Sequence, residues 1–361
     1  MPLILDAHQD LAWNMQVLGR DYRRSVRATR ALEVGSPILE LTGNTLLGLP
    51  EYNQAGVAWV FGTLFADPFA PNKPNQLFPG YKSPEEAHQR YMSQLDFYHA
   101  YNCEHPDTFR LITNLSELRT HTALWQKTDN QLKPVGLIPL MEGAEGIVNL
   151  DELSEWWSKG VRIIGLAWQG NQYCGGTRQP GPLTRAGFDL IDAMAEIGFV
   201  LDLSHMDEPA ALQCLERYPG QIIASHANAS ALVKGYTGNR LLSDDLIRAM
   251  FERDAVIGVV PSNSFLNQDW KADGGKHATS LQLVANQIDY LCQMAGDARH
   301  VGIGTDFDGG FGVEHVPAEI DSIADLPKLF PMLASLGYQE SDLEAIASGN
   351  FLRVIESALP E

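Results

Sequence analysis

The chain begins with LILDAHQDLAW, residues 3–13, a short apolar run that carries His8 and Asp10 near its end. Residues two apart on a β-strand project from the same face, so the imidazole and the carboxylate are expected side by side where this strand ends. Two such groups are typical ligands of one metal ion. An isolated His-x-Asp is also common in surface turns, so this interpretation depends on partners from elsewhere in the chain.

Further apolar runs follow this first one, separated by segments with helical periodicity. The predicted strands span residues 3–11, 56–66, 135–143, 161–168, 199–205, 221–227, 255–263 and 301–309. Most are continuously apolar, which is typical of parallel strands buried on both faces. The helical segments are 84–101, 184–198, 243–254 and 278–296, and most have capping residues at their ends.

This alternation of strands and helices predicts an α/β fold, a (β/α)₈ barrel formed as a single domain by residues 1–361. A doubly wound open sheet is the alternative, although no G-x-G-x-x-G follows the first strand. The long connections 12–55 and 67–134 are expected to add helices outside the barrel. The Gly- and Pro-rich segment 170–182 is expected to be a loop over the barrel mouth.

The composition argues against several classes of function. A formal net charge of −19 does not suit nucleic-acid binding, which needs basic surfaces. The one basic cluster, residues 19–30, is expected to be a solvated helix face. Scattered cysteines without a Cys-x-x-Cys pair predict neither a zinc knuckle nor a disulfide scaffold. The absence of a signal-peptide pattern and of a run of about 18 apolar residues predicts a cytoplasmic protein without a membrane partner.

Residues of metal-ligand type stand at the ends of five predicted strands. They are His8, Asp10, Glu142, His205, His226 and Asp306. The carboxyl ends of barrel strands meet at one mouth, where active sites lie. Three histidines and three carboxylates there could hold two divalent ions that share a carboxylate, and this ligand chemistry suits zinc.

Two details of these strand ends leave alternatives. Glu145 competes with Glu142 in LMEGAEG, and Glu142 is preferred because it is nearer the strand. Ser204 and Ser225 each precede a histidine, but neighbouring strand residues face opposite ways, so no Ser–His pair is expected. No G-x-S-x-G elbow is present. Metal-activated water is therefore the expected nucleophile.

Taken together, these segments resemble the membrane dipeptidase family, peptidase family M19, among the amidohydrolase-like barrels. The resemblance covers nearly the whole chain and rests on DAHQDLAW, LMEGAEG, GFVLDLSHMDE, IIASHANAS, GNRLLSDDLI, HVGIGTDFDGG and GNFLRVIE in this order. It implies a binuclear zinc dipeptidase that hydrolyses dipeptides, some with a carboxyl-terminal D-residue, by attack of a metal-bridging hydroxide. It also implies two zinc ions, or other divalent metals, and a homodimer.

The same resemblance implies how the two ions are held. His8, Asp10 and Glu142 would hold one zinc ion. Glu142, His205 and His226 would hold the other, so that Glu142 bridges the pair.

The resemblance also implies two roles toward the substrate. Asp306 would be the acid and base that takes a proton from the bridging water and passes it to the leaving amine. Arg240, in GNRLLSDD, would bind the terminal carboxylate of the substrate, which suits the forked guanidinium group.

Trp168 departs from the family pattern. Family members usually carry a histidine after the fourth strand, where it helps to bind substrate and to stabilise the oxyanion, whereas VRIIGLAWQGN places Trp168 there. Loss of an oxyanion donor costs about 10²–10³ in rate, so Trp168 is consistent with a slower enzyme, another donor or an apolar pocket wall. Two alternatives stay open: an amidohydrolase for N-acyl amino acids or another small amide, and a non-catalytic metal-holding barrel that binds a ligand.

Overall fold

The computed structural model describes residues 2–69, 80–129 and 131–361, and its central element is a closed parallel barrel. The strands of the described residues are β1 (Ile4–Gln9), β2 (Val57–Leu64), β3 (Phe109–Leu111), β4 (Val135–Met141), β5 (Ile163–Gly165), β6 (Cys174–Gly176), β7 (Gln179–Leu183), β8 (Val200–Asp202), β9 (Ile222–Ala224), β10 (Val256–Val259) and β11 (Val301–Ile303). All eight predicted strands are present, and each is shorter than predicted.

The barrel closes through a specific strand pairing. Neighbouring strands follow the order β2-β1-β11-β10-β9-β8-β5-β4, and residues 59–64 of β2 pair in parallel with residues 136–141 of β4. That last pairing joins the two ends of the sheet and excludes the open doubly wound alternative. The predicted (β/α)₈ barrel is therefore confirmed.

Helices surround the barrel in the described residues. The α-helices are α1 (Leu11–Trp13), α2 (Val26–Glu33), α3 (Pro37–Thr42), α4 (Leu49–Ala55), α5 (Pro84–Glu104), α6 (Leu115–Trp125), α7 (Leu153–Ser158), α8 (Arg185–Ile197), α9 (Glu208–Arg217), α10 (Asp244–Glu252), α11 (Leu281–Ala295), α12 (Leu329–Ser335), α13 (Glu340–Glu344) and α14 (Asn350–Ala358). The predicted helices correspond to α5, α8, α10 and α11. Within the described part of the chain, no helix is both long enough and apolar enough to cross a bilayer.

The continuous apolar character of the strands follows from their burial on both faces. Ile4 and Leu5 are neighbours on β1, yet they belong to two different hydrophobic clusters. Ile222 and Ile223 on β9 are divided in the same way. The cluster that contains Leu5 also takes in Phe351 of α14. Because successive strand residues alternate in direction, each face needs its own apolar set.

Two connections differ in detail from the prediction. The segment 170–182, expected to be a loop, includes most of an antiparallel hairpin formed by β6 and β7. The connection 67–134 contains helices as predicted, namely α5 and α6. It also contains β3, which pairs in parallel with residues 135–137 at the start of β4. Residues 70–79 and residue 130 of that connection lie outside the described part of the chain.

The connection 12–55 is fastened to the turn after β11 by a buried ion-pair network. Arg20 is only 3% exposed, so the prediction that the whole basic cluster is solvated is wrong for this residue. Its guanidinium lies 3.2 Å from Asp308 Oδ2 and 2.9 Å from Glu33 Oε1. Asp308 also accepts a hydrogen bond from the Tyr22 hydroxyl at 2.9 Å. The turn that carries Asp306 is therefore held firmly from outside the barrel.

Candidate metal centre

The predicted ligands lie at the carboxyl ends of four barrel strands. His8 is on β1, and Asp10 comes immediately after that strand. Glu142 directly follows β4. His205 comes shortly after β8, and His226 shortly after β9. Because parallel barrel strands bring their carboxyl ends to the same rim, these five side chains meet in space although they are far apart in sequence.

Glu142 is at the centre of this group. Its Oε1 atom lies 3.4 Å from Nε2 of His8. The same oxygen lies 3.2 Å from Nε2 of His205 and 3.6 Å from Nε2 of His226. Nε2 of His8 is also 3.8 Å from Asp10 Oδ1. The alternative acid, Glu145, accepts a hydrogen bond from Tyr91 at 3.3 Å instead.

This donor set fits two divalent ions. The ligand atoms of His8, Asp10 and Glu142 lie within 4.8 Å of one another, and so do those of Glu142, His205 and His226. Nε2 of His8 is buried without a hydrogen-bond partner among the described residues, although buried polar atoms are normally paired. Nε2 of His205 and Nε2 of His226 are only 2.9 Å apart. Nitrogen and carboxylate lone pairs at such separations call for cations between them.

The pKa values in this group are strongly perturbed. Burial alone would lower the pKa of His8, but the carboxylates of Glu142 and Asp10 raise it to about 10. Burial raises the pKa of Asp10 to about 7, with a further contribution from Glu142. Burial also acts to raise the pKa of Glu142, but His8 and His205 hold it below its usual range. Burial and the nearby Arg240 lower the pKa of His205 to about 4. Mutual perturbation of this kind is typical of functional sites.

Asp306 adds a carboxyl group to the rim from β11. Its backbone is left-handed, with φ +57°, and its N–H donates to the His8 carbonyl oxygen at 3.1 Å. His205 is also left-handed, with φ +67°. Such backbone costs about 1–3 kcal/mol for a residue other than glycine, and it occurs most often at functional sites. Burial raises the pKa of Asp306 well above its usual range, an effect that His8 partly opposes.

A cavity next to these side chains is lined by both acidic and aromatic residues. Its lining consists of Asp10, Trp13, Phe65, Asp67, Glu142, Trp168, His205, Asp306, Gly309 and Gly310. The Trp168 ring centre lies 5.5 Å from that of Phe65 and 5.9 Å from that of His205. Trp168 is thus an apolar wall of the cavity next to a predicted ligand.

Arg240 is buried and is not among the described residues that line the cavity. Its Nη2 atom donates to the His226 carbonyl oxygen at 2.8 Å, and its guanidinium carbon lies 4.9 Å from the centre of the Phe265 ring. Nε and Nη1 are buried with no hydrogen-bond partner in the described residues. A buried guanidinium with free donors favours binding of an anion.

The hydroxyl groups behind the histidines were not expected from the sequence. The prediction that no Ser–His pair forms is wrong, because Ser225 Oγ lies 2.9 Å from Nδ1 of His226. Strand β9 ends at Ala224, and the alternation of faces holds only within a strand. One sequence feature could have indicated these partners: the polar residues Asp202 and Ser225 lie within or at the end of otherwise apolar runs.

The family model for membrane dipeptidase, peptidase family M19, matches residues 1–359. An uncharacterised Klebsiella pneumoniae protein encoded in the pqqA 5′ region is 32% identical over 235 residues, which is 62% of this chain and 83% of that protein. Dipeptidase aclJ of Aspergillus oryzae is 32% identical over 176 residues, which is 48% of this chain but only 39% of that dipeptidase.

Solved structures share the fold. A metallo peptidase from Rhodobacter sphaeroides, liganded with a phosphinate mimic of the dipeptide L-Ala-D-Ala, superposes with a TM-score of 0.77 at 22% identity and covers 99% of each chain. The probable dipeptidase PvdM from Pseudomonas aeruginosa has a TM-score of 0.79 at 18% identity, over 99% of this chain and 96% of that one. At these identities the likeness is one of fold.

Proposed function

The chain belongs to the membrane dipeptidase family, peptidase family M19, and from this premise we propose that it is a binuclear zinc dipeptidase. The observation that carries the proposal is the convergence of three imidazole Nε2 atoms on one carboxylate oxygen, with a buried and unpaired Nε2 on His8. Oxygen and nitrogen donors in this number suit zinc or another borderline divalent ion.

The proposed ligands divide into two sets that share Glu142. His8 and Asp10 would complete one set, and His205 and His226 the other. When bound, two divalent ions would polarise the scissile carbonyl group and bring the pKa of a water molecule near neutrality. The protein supplies the fixed positions of the ligands, a buried site and the groups that bind the substrate.

We assign proton transfer to the carboxyl group of Asp306. It lines the cavity together with three of the proposed ligands, Asp10, Glu142 and His205. A carboxyl group in this place can hold the proton that the leaving amine requires. The ion-paired Asp308 two residues later fixes the turn, so Asp306 does not need to move to reach the cavity.

The two ends of a dipeptide find opposite charges here. Asp67 lines the cavity and would attract a free α-amino group. Arg240, with two unpaired donors, would attract the terminal carboxylate. This arrangement supports a dipeptide with both ends free, and the family resemblance extends the proposal to dipeptides with a carboxyl-terminal D-residue. As is usual in the family, we propose a homodimer, which light scattering coupled to size-exclusion chromatography would test.

Trp168 supports a second candidate, hydrolysis of an N-acyl amino acid or another small amide. The observation behind it is the aromatic wall that Trp168 forms with Phe65, which suits an acyl group without charge. Such a substrate needs no free amine, whereas a dipeptidase with the proposed Asp67 carboxylate does. The two candidates therefore differ in how they respond to blocked substrates.

A panel of dipeptides separates these functions. Zinc-reconstituted protein would be given L-L and L-D dipeptides in free, N-acetylated and carboxyl-amidated forms, and released amino acids would be quantified. We expect turnover of the free dipeptides and at least a tenfold loss on amidation, because Arg240 then lacks its carboxylate. Turnover of the N-acetylated forms alone would favour the amidohydrolase. If the protein binds two zinc ions but hydrolyses no substrate of the panel, both activities are contradicted.

A further inference from the structure

Each imidazole of the proposed metal centre points its Nδ1 atom at a hydroxyl group. Ser225 Oγ lies 3.2 Å from Nδ1 of His8 and 2.9 Å from Nδ1 of His226. Thr177 Oγ1, in the hairpin formed by β6 and β7, lies 2.9 Å from Nδ1 of His205. Ser225 thus contacts one histidine from each proposed ligand set, and Thr177 contacts the third histidine.

The direction of the hydrogen bonds to Ser225 is fixed by Asp202. Oδ2 of Asp202 lies 2.6 Å from Ser225 Oγ, while Oδ1 accepts the backbone N–H groups of Ser204 at 3.0 Å and Ser225 at 2.8 Å. An ionised carboxylate can only accept, so the hydroxyl hydrogen of Ser225 points to Asp202. The oxygen of Ser225 is then left to accept, and its possible donors are the two imidazole Nδ1–H groups and the Ser204 hydroxyl, whose oxygen lies 3.2 Å away.

The same logic applies to Thr177. Its hydroxyl lies 3.4 Å from the carbonyl oxygen of His205, which can only accept a hydrogen bond. The hydroxyl oxygen is therefore left to accept from Nδ1–H of the His205 ring. All three rings would carry their proton on Nδ1, which leaves every Nε2 lone pair directed at Glu142 and free for a cation.

The backbone at Ser225 is closely packed. Its carbonyl oxygen lies against two glycines, Gly258 on the adjacent strand β10 and Gly304 just after β11. A Cβ atom added to Gly258 would lie 2.0 Å from that oxygen, and one added to Gly304 would lie 1.9 Å from it. Only glycine allows this approach, so the backbone that presents the hydroxyl is held between two strands of the barrel.

We infer that Ser225 is a positioning residue that sets the tautomers of His8 and His226 together, and that Thr177 does so for His205 alone. Glu142 would join the two metal ions from the cavity side, and Ser225, anchored by Asp202, would join their ligand sets from behind. The inference rests on the proposed pair of metal ions, but it does not depend on the substrate.

The test measures metal affinity and imidazole protons rather than turnover alone. Zinc affinity would be determined by competition with a chromophoric chelator in wild type, Ser225→Ala and Thr177→Val. We expect Ser225→Ala to lower the affinity for both zinc ions by about 10–100-fold, which is the usual effect of removing a hydrogen-bond partner of a metal-bound histidine. Thr177→Val should lower the affinity for only one of the two ions, by a similar factor.

Nuclear magnetic resonance of zinc-loaded, ¹⁵N-histidine-labelled protein supplies the second readout. In wild type, the Nδ1–H protons of the three ligand histidines should exchange slowly with water, because each is hydrogen-bonded to a hydroxyl. Ser225→Ala should expose two of these protons to rapid exchange, and Thr177→Val should expose one.

Matched controls separate positioning from general damage. Ser262→Ala removes another buried serine hydroxyl, which pairs with Ser264. Thr305→Val removes a buried threonine hydroxyl that donates to the Asp6 carboxylate. Both should keep zinc affinity within about threefold of wild type. If Ser225→Ala does not fold, Thr177→Val and Thr177→Ser are compared instead. Only Thr177→Ser, which keeps a hydroxyl group, should retain wild-type affinity for the second zinc ion.

Several outcomes would overturn the inference. These are unchanged zinc affinity in folded Ser225→Ala, weakening of only one ion in that variant, or weakening of both ions in Thr177→Val. The result is also distinguishable from a failure of the proposed function. If the variants show the predicted zinc affinities but the protein cleaves no dipeptide, the inference is supported and the proposed function is not. If the protein is a dipeptidase but zinc affinity is unchanged in both variants, the inference is contradicted.

Discussion

Among single residues, Asp306 is the one on which the proposed reaction depends most directly. It shares the cavity with Glu142 and His205, yet it is not one of the five residues that make up the two proposed ligand sets. Its turn is anchored by Asp308 and Arg20, which makes a substitution at Asp306 a clean test of chemistry.

Asp306→Asn should lower kcat by about 10²–10⁴, the usual contribution of a general acid or base. The amide is nearly isosteric with the carboxyl group but does not take up or release the proton. Steady-state kinetics on a free dipeptide measure the change, and zinc content should remain at the wild-type value. A kcat within threefold of wild type would remove Asp306 from proton transfer.

His121 is a buried histidine outside the proposed site, and its effect on stability can be isolated by pH. Its Nε2 atom lies 2.9 Å from the carbonyl oxygen of Ala58, and burial lowers its pKa from 6.5 to about 4. Because the folded pKa is the lower one, the unfolded chain binds more protons between these two values. The stability that neutral His121 contributes is therefore present above pH 6.5 and is lost as the pH falls through this window.

His121→Gln keeps a donor for Ala58 but does not titrate. Between pH 7 and pH 5 the free energy of unfolding of wild type should fall by about 2 kcal/mol relative to this variant. Urea denaturation at the two pH values measures the difference. An equal pH dependence for both proteins would show that His121 keeps its ordinary pKa in the folded state.

At the scale of the element, the helix starts of this chain offer a matched pair of serines. Ser243 precedes α10, and its hydroxyl accepts the N–H of Leu246 at 3.1 Å. Ser280 precedes α11 but makes no such side-chain bond. We expect Ser243→Ala to lower the free energy of unfolding by about 1 kcal/mol. Ser280→Ala should change it by less than about 0.5 kcal/mol, and equal effects would contradict the capping assignment.

The elements themselves were largely predictable from sequence, because their physical signals are local. The continuous apolar runs identified all eight barrel strands, since both faces of each strand are buried. Thr184 and Gly198 marked the ends of α8, where the structure shows a side-chain cap and a left-handed glycine. The hairpin of β6 and β7 was missed because its Gly- and Pro-rich sequence carries no apolar periodicity.

The candidate site was predictable only in part. Strand-end position identified His8, Glu142 and the other ligand-type residues, since a barrel brings those ends together. Their hydroxyl partners were not predictable, because Thr177 reaches His205 through a hairpin whose folding the sequence did not indicate. The Ser225–His226 contact was not expected, because strand alternation was applied as far as His226, two residues beyond the end of β9.

For the whole molecule, closure of the barrel joins the beginning of the chain to its end. β1 pairs with β11, and Phe61 of β2 packs edge-on against Phe351 of α14 at 5.6 Å between ring centres. These elements are far apart in the sequence, but they complete the same sheet and the same core. We therefore expect them to unfold together. We therefore propose that residues 1–361 form one domain.

That proposal predicts a single cooperative transition in chemical denaturation. Far-UV circular dichroism, which reports helices and strands, and tryptophan fluorescence, which reports packing of the rings, should give coincident midpoints. Removal of metal should lower the common midpoint without splitting it, because ions that bind only the folded state stabilise it by mass action. Two separated transitions would indicate independently folding parts.

The central claim, that this chain is a binuclear metal dipeptidase, is tested most directly by zinc titration of metal-free protein during hydrolysis of L-Ala-D-Ala. We predict that activity rises with added zinc and saturates at two equivalents per chain, because each of the two proposed ligand sets that share Glu142 would hold one ion. No hydrolysis at any zinc level, or full activity at one equivalent, would contradict the claim.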